Sequence, residues 1–424
     1  MNFFGFGIGS TAYAQTTFQK TFGGNDLDYA SSVQQTTDGG YIITGYTLSF
    51  GVFGDAYIIK TNSLGDTLWT KTYGNSGWDT GEWIEQTSDG GYITTGFRDV
   101  WNGVTYLFKL DSIGDTLWTK TYNAGGVDGE LGCFVQEATN GGFIVASVLN
   151  SWFAPSFILR KTNAIGDLLW TKIYYDTWLT ADQFIEQEKA LQQTSDGGYI
   201  ITGNHIDNFG NQDICLIKTD SSGNILWTRK YGGASMEAIR SISQTTDNGY
   251  VLAGITTSFG AGSDDVYLIK TDSSGNILWS KTYGGSGEDK PYSVLQTVDE
   301  GYIIAGMTNS FGFGNDDVYV IKTDLLGNLQ WSITCGGTGP DFAQSIQGTS
   351  DGGYILAGST NSFGAGNQDV YLIKMDSTGN AGCNYQIILN TIVGSPATSI
   401  GTPAITTRGF KQAESTDLAT WMCD

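Results

Sequence analysis

The chain has 424 residues, of which 60 are glycine, 5 are proline and 13% are aromatic. Frequent glycine together with many aromatic residues is typical of short β-strands joined by turns, so we expect an all-β fold. The formal net charge of −22 would repel phosphate backbones, which argues against nucleic-acid binding and favours cations or basic partners. One histidine and no CxxC pair exclude the common zinc, iron–sulfur and haem patterns.

Residues 1–14 carry an apolar run that ends in Ala12-Tyr13-Ala14, a small-x-small sequence of the kind that signal peptidase accepts. A positively charged segment before the apolar run is missing, so we interpret residues 1–14 as a truncated signal peptide. The protein is therefore expected to be secreted, or to lie at the cell surface. No later apolar run reaches roughly 18 residues, so no membrane span is predicted.

Residues 15–380 repeat one pattern seven times. The turn sequence TDGGY and its variants place one residue of each unit in register, at intervals of 51 to 56 residues: Asp38, Asp89, Asn140, Asp196, Asp247, Asp299 and Asp351. Each unit reads as four short strands, which we call A to D, separated by the DGG turn, a glycine-rich loop and a second turn such as DSSGN. Four antiparallel strands repeated in this way predict a seven-bladed β-propeller.

The two ends of the array are complementary. The seventh unit has no D strand after Asn380, whereas residues 16–24, TTFQKTFGG, match the D strands of the other units. We expect this N-terminal strand to complete the last blade and close the ring. The alternative is that the strand enters the last blade of a second molecule, although closure within one chain has the higher effective concentration.

Each D strand carries one large aromatic residue in the same column: Phe18, Trp69, Trp118, Trp170, Trp227, Trp279 and Trp331. The phrase from Lys270 to Gly285, KTDSSGNILWSKTYGG, resembles the tryptophan-docking motif of quinoprotein-type propellers, from which it differs by one residue between Asp272 and Gly275. The whole array resembles the short-repeat propellers of secreted bacterial surface proteins. The resemblance implies the fold and a docking role for the aromatic column, and it implies little about activity because propellers host many functions.

Two columns of acids recur near the loops. The first precedes strand A in every unit: Asp28, Asp79, Glu130, Glu186, Glu237, Asp289 and Asp341. The second opens strand C in five units: Asp55, Asp213, Asp265, Asp317 and Asp369. We expect both columns at the end of the ring formed by the D-to-A and B-to-C loops, which we call the loop face, where they would form a crown of carboxylates.

Three roles are open for these acids. The first column could accept backbone hydrogen bonds where the chain enters strand A and so fix the turn between blades. The clustered oxygens could bind Ca²⁺, the one cofactor that the sequence suggests. The crown could also dock a basic partner. A column of lysines lies further along strand C, and we expect it to pair with the DGG aspartates at the opposite end, which we call the turn face: Lys60, Lys109, Lys161, Lys218, Lys270, Lys322 and Lys374.

Three tryptophans depart from the repeat and fall in D-to-A loops: Trp78, Trp83 and Trp178. Aromatic rings beside carboxylates suit a sugar-stacking platform on the loop face, and packing within the loops is the plainer alternative. In the Ser/Thr-rich tail, residues 381–424, Cys383 and Cys423 could form a disulfide in an oxidising compartment. The remaining cysteines are expected to be buried: Cys133, Cys215 and Cys335.

The sequence favours a non-catalytic binding propeller at the cell exterior, with a cation, a basic partner or a glycan as ligand. A structural subunit of an extracellular fibre or surface layer is the alternative, joined through residues 16–24 or 384–424. A glycan-active enzyme is the second alternative, since a ring of acids offers many carboxylate pairs. We predict no catalytic residues. His205 has no GxSxG motif as a partner, and the acids recur at equivalent positions around the ring, whereas catalysis would single out one asymmetric pair.

Overall fold

A computed structural model describes residues 15–51, 53–98, 103–123, 129–149, 156–175, 191–206 and 212–382, together with the short segments 385–387, 392–394 and 411–413. Within these ranges the regular secondary structure is entirely β, in seven antiparallel sheets. Each sheet is one blade, with strands A, B, C and D in sequential order, so the predicted all-β, seven-bladed propeller is confirmed.

The first three blades follow each other along the chain. Blade 1 contains β2 (Asp28–Gln35), β3 (Tyr41–Thr47), β4 (Asp55–Thr61) and β5 (Thr67–Tyr73). Blade 2 contains β6 (Trp83–Gln86), β7 (Tyr92–Arg98), β8 (Val104–Leu110) and β9 (Thr116–Tyr122). Blade 3 contains β10 (Glu130–Glu137), β11 (Phe143–Leu149), β12 (Ser156–Thr162) and β13 (Leu168–Tyr175).

The last four blades repeat the same order. Blade 4 contains β14 (Leu191–Gln193), β15 (Tyr199–Ile206), β16 (Gln212–Thr219) and β17 (Ile225–Tyr231). Blade 5 contains β18 (Glu237–Gln244), β19 (Tyr250–Thr256), β20 (Asp265–Thr271) and β21 (Ile277–Gly284). Blade 6 contains β22 (Asp289–Gln296), β23 (Tyr302–Thr308), β24 (Asp317–Thr323) and β25 (Leu329–Cys335). Blade 7 contains β26 (Asp341–Gly348), β27 (Tyr354–Thr360), β28 (Asp369–Met375) and β1 (Phe18–Phe22).

The core lies between blades. Most residues of strands B and C are buried, and β27 and β28 are buried along their whole length, because both faces of a blade pack on its neighbours. Strand D alternates between exposed and half-buried residues, as in β5, because it forms the outer edge. One apolar cluster joins Ile43 and Tyr57 of blade 1 to Ile355 and Leu372 of blade 7, so burial of apolar area holds adjacent blades together.

Strand A bulges where it meets a glycine of strand B. In blade 1 the register shifts between Ala30 and Ser32, opposite Gly45. A Cβ at Gly45 would lie 1.7 Å from the carbonyl oxygen of Tyr29, so only glycine permits the two backbones to approach this closely.

The N-terminal strand closes the ring within one chain, as predicted. β1 pairs antiparallel with β28, with Phe18 opposite Lys374. Blades 7 and 1 are also joined by hydrogen bonds from the amide of Val33 to Ser345 Oγ, 3.3 Å, and from the amide of Ser350 to Gln35 Oε1, 2.8 Å. The seventh junction is therefore built from the same kinds of contact as the others.

Three short tail segments extend blades with a fifth strand. β29 (Tyr385–Ile387) pairs with β25, β30 (Ile392–Gly394) with β21, and β31 (Lys411–Ala413) with β13. These three described segments lie along the outer edges of blades 6, 5 and 3.

Several sequence predictions concern parts that the structure leaves undescribed, among them residues 1–14, Trp178, Glu186, Cys383 and Cys423. The cysteines Cys133, Cys215 and Cys335 are buried, as predicted. Among the residues that the structure describes, no helix is long and apolar enough to cross a membrane.

Candidate ligand-binding face and blade junctions

Lysine–aspartate pairs line the turn face, as predicted. Lys322 Nζ lies 2.9 Å from Asp299 Oδ2, and the same pair forms in five other blades. The lysine also affects the pKa of the aspartate with which it pairs. Partial burial alone would raise the pKa of Asp89, but the Thr87 hydroxyl and the Lys109 ammonium outweigh it and lower that pKa to about 2. These lysines therefore stabilise the DGG turns and do not neutralise acids on the loop face.

The aromatic column of strand D lies at the blade junctions. Trp279 packs edge-on against Tyr302 of blade 6, with ring centroids 5.6 Å apart, and its ring covers the turn glycine Gly327, where a Cβ would approach to 2.7 Å. The same contact with a turn glycine recurs six times: Phe18 with Gly65, Trp69 with Gly114, Trp118 with Gly166, Trp170 with Gly223, Trp227 with Gly275, and Trp331 with Gly379. Each large ring thus ties its own blade to the next one.

A tyrosine that sequence reasoning missed completes this junction. The hydroxyl of Tyr283 donates to the carbonyl oxygen of Gly327, 2.6 Å away. Four further tyrosines make the same bond to the next blade: Tyr73, Tyr122, Tyr174 and Tyr231. The signal in the sequence was a tyrosine four residues after five of the six docking tryptophans, as in WSKTY; Trp331 is followed by Cys335 instead.

The six acids of the first column that the structure describes are buried, and five of them hold the D-to-A loops. Asp289 is 0% exposed, and its Oδ2 accepts hydrogen bonds from the amide of Gly285 and the hydroxyl of Ser310, each at 2.7 Å. The equivalent backbone bond forms at four other acids of the column: Asp28, Asp79, Glu237 and Asp341. This is the turn-fixing role that was the first of the three predicted roles.

Four acids of the second column are buried as well, and the fifth, Asp213, is half-buried. Asp265 is 2% exposed, and its Oδ2 accepts the amides of Ala261 and Gly262 in its own B-to-C loop, at 2.8 and 3.1 Å. The same arrangement is found at Asp317 and Asp369. Asp55 is 5% exposed. The expectation of a solvent-facing crown is thus wrong for these acids, because the B-to-C loops fold over the carboxylates and remove them from the reach of a partner.

The two acid columns meet at the junctions. A Cβ placed on Gly284, at the end of β21, would lie 2.1 Å from Asp265 Oδ1 and 2.6 Å from Asp289 Oδ2, so both oxygens converge over this glycine. Burial raises the pKa of Asp289, and the neighbouring Asp265 carboxylate adds to the rise. In the next junction, burial and the carboxylate of Asp341 raise the pKa of Asp317. Asp289 and Asp317 are therefore harder to ionise than carboxyl groups in water.

The junction between blades 2 and 3 neutralises its acid with an arginine. Val104 replaces the strand C acid there, and the buried Glu130 forms a bidentate ion pair with Arg160, with the Thr105 and Ser147 hydroxyls also donating to Glu130 Oε1. Arg160 stands where other blades have an aliphatic residue, such as Ile269. The chain thus supplies a cation where a single acid is buried.

Trp78 lies in an aromatic cluster of blade 1 at the loop face. Its ring centroid is 5.8 Å from that of Tyr46, which in turn stacks on Tyr29 at 5.6 Å with an angle of 22° between the planes. Trp78 is 37% exposed, and both tyrosines are half-buried. We call Tyr29, Tyr46 and Trp78 the aromatic cluster.

Trp83, by contrast, is not on the loop face. It lies in β6 and packs on Phe134 of blade 3, with ring centroids 4.7 Å apart, in the core between the two blades. Its prediction as a face residue is therefore wrong, because the D-to-A loop of this blade ends before residue 83. Within the described residues, no group of three or more His, Cys, Asp or Glu side chains could hold a metal ion. The acids meet in pairs, and the calcium prediction stays a prediction.

No family model matches the chain. A regulatory protein, FlaEY of Caulobacter vibrioides, is 24% identical over 189 residues, which cover 37% of this chain and 20% of that protein. Serine hydroxymethyltransferase of Halorhodospira halophila is 50% identical over 48 residues, 10% of this chain and 12% of that enzyme. The chain spans a fifth or less of the length of these two curated relatives.

Several solved structures can be superposed on this chain at low sequence identity. Sqt1 from Chaetomium thermophilum superposes with a TM-score of 0.47 at 10% identity, over 88% of this chain and 87% of that chain. Puromycin hydrolase gives a TM-score of 0.46 at 11% identity, over 88% and 57% of the respective chains. A structure of BBS1N in complex with ARL6DN gives 0.45 at 11% identity, over 91% and 99%. At these values no function carries over to this chain.

Proposed function

We propose that this chain is a secreted or cell-surface binding propeller without catalytic activity, and that its ligand is a glycan held by the aromatic cluster on the loop face. The observation that carries the proposal is that the cluster departs from the repeat and still leaves Trp78 37% exposed. The repeated acids, lysines and tryptophans are used to build the ring, so a ligand site belongs where the repeat is broken.

The stacked tyrosine pair is a feature of blade 1. Tyr29 and Tyr46 lie opposite each other on strands A and B. The equivalent cross-strand pairs of the other blades that show this register are not aromatic pairs: Leu131 with Val148, Ala238 with Ile255, Lys290 with Met307, and Phe342 with Ser359. Trp78 then lies over Gly54 and Leu48 of the B-to-C loop, where a Cβ on Gly54 would meet the indole at 3.3 Å. The Trp78 side chain of the cluster is therefore supported by packing against the B-to-C loop.

The chemistry of the cluster suits sugars. Aromatic rings stack on the C–H faces of pyranose rings, while nearby polar groups bind the hydroxyls. Burial raises the pKa of Tyr46, and the carboxylate of Glu82 is the next contributor, so an acid lies close to the rings. An aromatic surface with an adjacent carboxylate matches a neutral oligosaccharide better than a polyanion, given the net charge of −22.

Binding of neutral oligosaccharides tests the proposal. We would measure cello-, chito-, xylo- and manno-oligosaccharides by calorimetry with the full chain and with Trp78→Ala. Loss of one stacking ring should weaken binding by about tenfold. Phe313→Ala is the matched control, because Phe313 is 60% exposed on a B-to-C loop far around the ring, in blade 6. Absence of binding to every sugar, or equal loss in both variants, would contradict the proposal.

A structural subunit is the second candidate. The observation that favours it is the set of tail strands, which extend blades 6, 5 and 3 through β29, β30 and β31. Exposed strand edges readily accept a further strand, so a tail could pair with a neighbouring molecule as it pairs with its own ring. Light scattering of the full chain against a chain ending at Asn380 distinguishes this case, which requires self-association that depends on the tail. The N-terminal strand is already used to close its own ring, which leaves the tail as the donor.

A further inference from the structure

Buried acids and one glycine vary together at the blade junctions. Where an aspartate lies at the start of strand C, a glycine lies against it at the end of strand D or directly after it: Asp55 with Gly74, Asp213 with Gly232, Asp265 with Gly284, Asp317 with Gly336, and Asp369 with Gly23. Where strand C begins with Val104 or Ser156, the glycine is replaced by Asn123 or Tyr175. The aspartate therefore requires glycine at this position, since a side chain there would collide with the carboxylate.

Three of these junctions share one geometry. A Cβ on the glycine would lie between 2.0 and 2.3 Å from Oδ1 of the strand C aspartate and between 2.5 and 2.6 Å from Oδ2 of the next blade's acid. The three sets are Asp265, Gly284 and Asp289; Asp317, Gly336 and Asp341; and Asp369, Gly23 and Asp28. The two carboxylate oxygens therefore fill the space that a side chain would occupy at this glycine, and they lie close to each other.

One oxygen of the pair lacks a partner. Oδ2 of Asp317 accepts two backbone amides, whereas its Oδ1 is buried and receives no hydrogen bond. In the set of Asp369, Gly23 and Asp28, Oδ1 of Asp28 is likewise buried without a donor. A buried carboxylate oxygen without a donor is costly, so the junction calls for a positive group beside it.

The protein itself supplies no such group at these three junctions. Among the described residues, no lysine or arginine forms an ion pair with the six carboxylates of the three sets, whereas the single acid of the blade 2–3 junction has Arg160. At the blade 1–2 junction Arg98 pairs with Asp79 at 3.2 Å. Both of those junctions therefore have an arginine beside a buried acid, whereas the three sets have two buried carboxylates and no arginine in the part of the chain that the structure describes.

We propose that the junctions between blades 5 and 6, 6 and 7, and 7 and 1 each bind one divalent cation between the two carboxylates, over the glycine. Carboxylate oxygens are the ligands preferred by Ca²⁺ and Mg²⁺, and a divalent ion would balance the pair as Arg160 balances Glu130. The ion would hold strand C of one blade against the loop that leads into strand A of the next. It would act as a brace of the ring, separate from the aromatic cluster.

Calcium titration of the full chain tests this proposal. The protein is stripped with chelator, desalted, and titrated with CaCl2 and in parallel with MgCl2 by calorimetry, and bound metal is counted by mass spectrometry under native conditions. We expect three ions for the three junctions, and a rise in the unfolding midpoint of about 2 °C or more when metal is added.

Asparagine variants show where the ions bind. Asp317→Asn keeps the shape of the side chain and lets its amide donate to Asp341, so the variant should bind one ion fewer while its unfolding midpoint in chelator stays equal to or above that of the parent. Asp272→Asn is the matched control, because Asp272 caps an exposed C-to-D turn through the amides of Ser274 and Asn276. It should bind as many ions as the parent.

Two results would overturn the proposal. One is a desalted chain that binds neither calcium nor magnesium at millimolar concentration, with an unfolding midpoint that added metal leaves unchanged. Shared protons would then satisfy the carboxylate pairs. The other is an equal ion count in the parent and in Asp317→Asn, which would place the metal elsewhere.

Discussion

The hydroxyl of Tyr283 donates a hydrogen bond of 2.6 Å to the carbonyl oxygen of Gly327 in the following blade. The same glycine lies beneath the indole of Trp279, four residues before Tyr283. One strand D therefore contacts one turn through a ring and a hydroxyl. The free energy that joins two blades is concentrated in these side chains and in the apolar core beside them.

Removal of this hydroxyl should weaken the ring. Tyr283→Phe leaves the buried carbonyl of Gly327 without its donor, so we expect a loss of about 1 to 2 kcal/mol in the free energy of unfolding, measured by urea denaturation. Tyr41→Phe is the control, because Tyr41 is equally buried and forms no side-chain hydrogen bond among the described residues. Equal losses in the two variants would contradict the role given to Tyr283.

The junction at Trp279 should tolerate a smaller aromatic side chain in place of the indole, but it should not tolerate loss of the aromatic side chain. Trp279→Phe imitates Phe18, which packs on Gly65 in the junction that closes the ring. Trp279→Ala should cost about 3 to 5 kcal/mol in the free energy of unfolding, and Trp279→Phe less than half of that. Thermal unfolding measures both. If the alanine variant melted with the parent, the junctions would not depend on the ring.

Glu85 should make the stability depend on pH. Burial raises the pKa of Glu85 from 4.5 to about 7, although the amide of Glu137 donates to it, and the carboxylate of Glu137 raises the pKa further. Because the folded-state pKa lies above the unfolded value, stability is highest below pH 4.5 for this group and falls as the pH rises through 7.

Glu85→Gln removes this dependence. Glutamine stands at the equivalent position in β2, β10 and β14, where Gln34, Gln136 and Gln192 accept a backbone amide of the next blade. The variant should gain roughly 1 to 3 kcal/mol at pH 8 and little at pH 5. Glu300→Gln, at an exposed DGG turn, is the control and should show no such difference between the two pH values. A gain for Glu85→Gln that is equal at both pH values would contradict the shifted pKa.

The N-terminal strand should be needed for a closed monomer. A chain without residues 16–24 exposes β28 as a new edge, so we expect a lower unfolding midpoint and a tendency to associate. Light scattering of the full chain should give a monomer. Concentration-dependent oligomers of the full chain that vanish on truncation would show that the strand enters a second molecule.

The fold could be predicted from the sequence because the same strand and turn pattern occurs in each of the seven repeats. The DGG turns, the aromatic column and the complementary ends at Phe18 and Asn380 give blade number and closure without any single residue being decisive. The lysine pairs followed from their distance along strand C.

The site could be predicted only in part. The burial of Asp317 depends on a B-to-C loop that folds back over it, and that path is set by Phe313 and Gly314 donating to its carboxylate. Trp83 was misplaced because strand A of blade 2 begins at that residue, so its ring enters the core. The aromatic cluster joins residues from β2, β3 and a D-to-A loop, and the sequence does not show that Tyr29 and Tyr46 stack.

The ligand-binding claim depends on Trp78, and fluorine NMR of the chain labelled with 5-fluorotryptophan tests it most directly. The chain has 12 tryptophans, and Trp78→Ala identifies the Trp78 resonance by its loss. On titration with an oligosaccharide that binds by calorimetry, the account predicts a shift of the Trp78 resonance while the signals of the docking column, such as Trp279, stay in place. A bound sugar that leaves the Trp78 signal unchanged would contradict it.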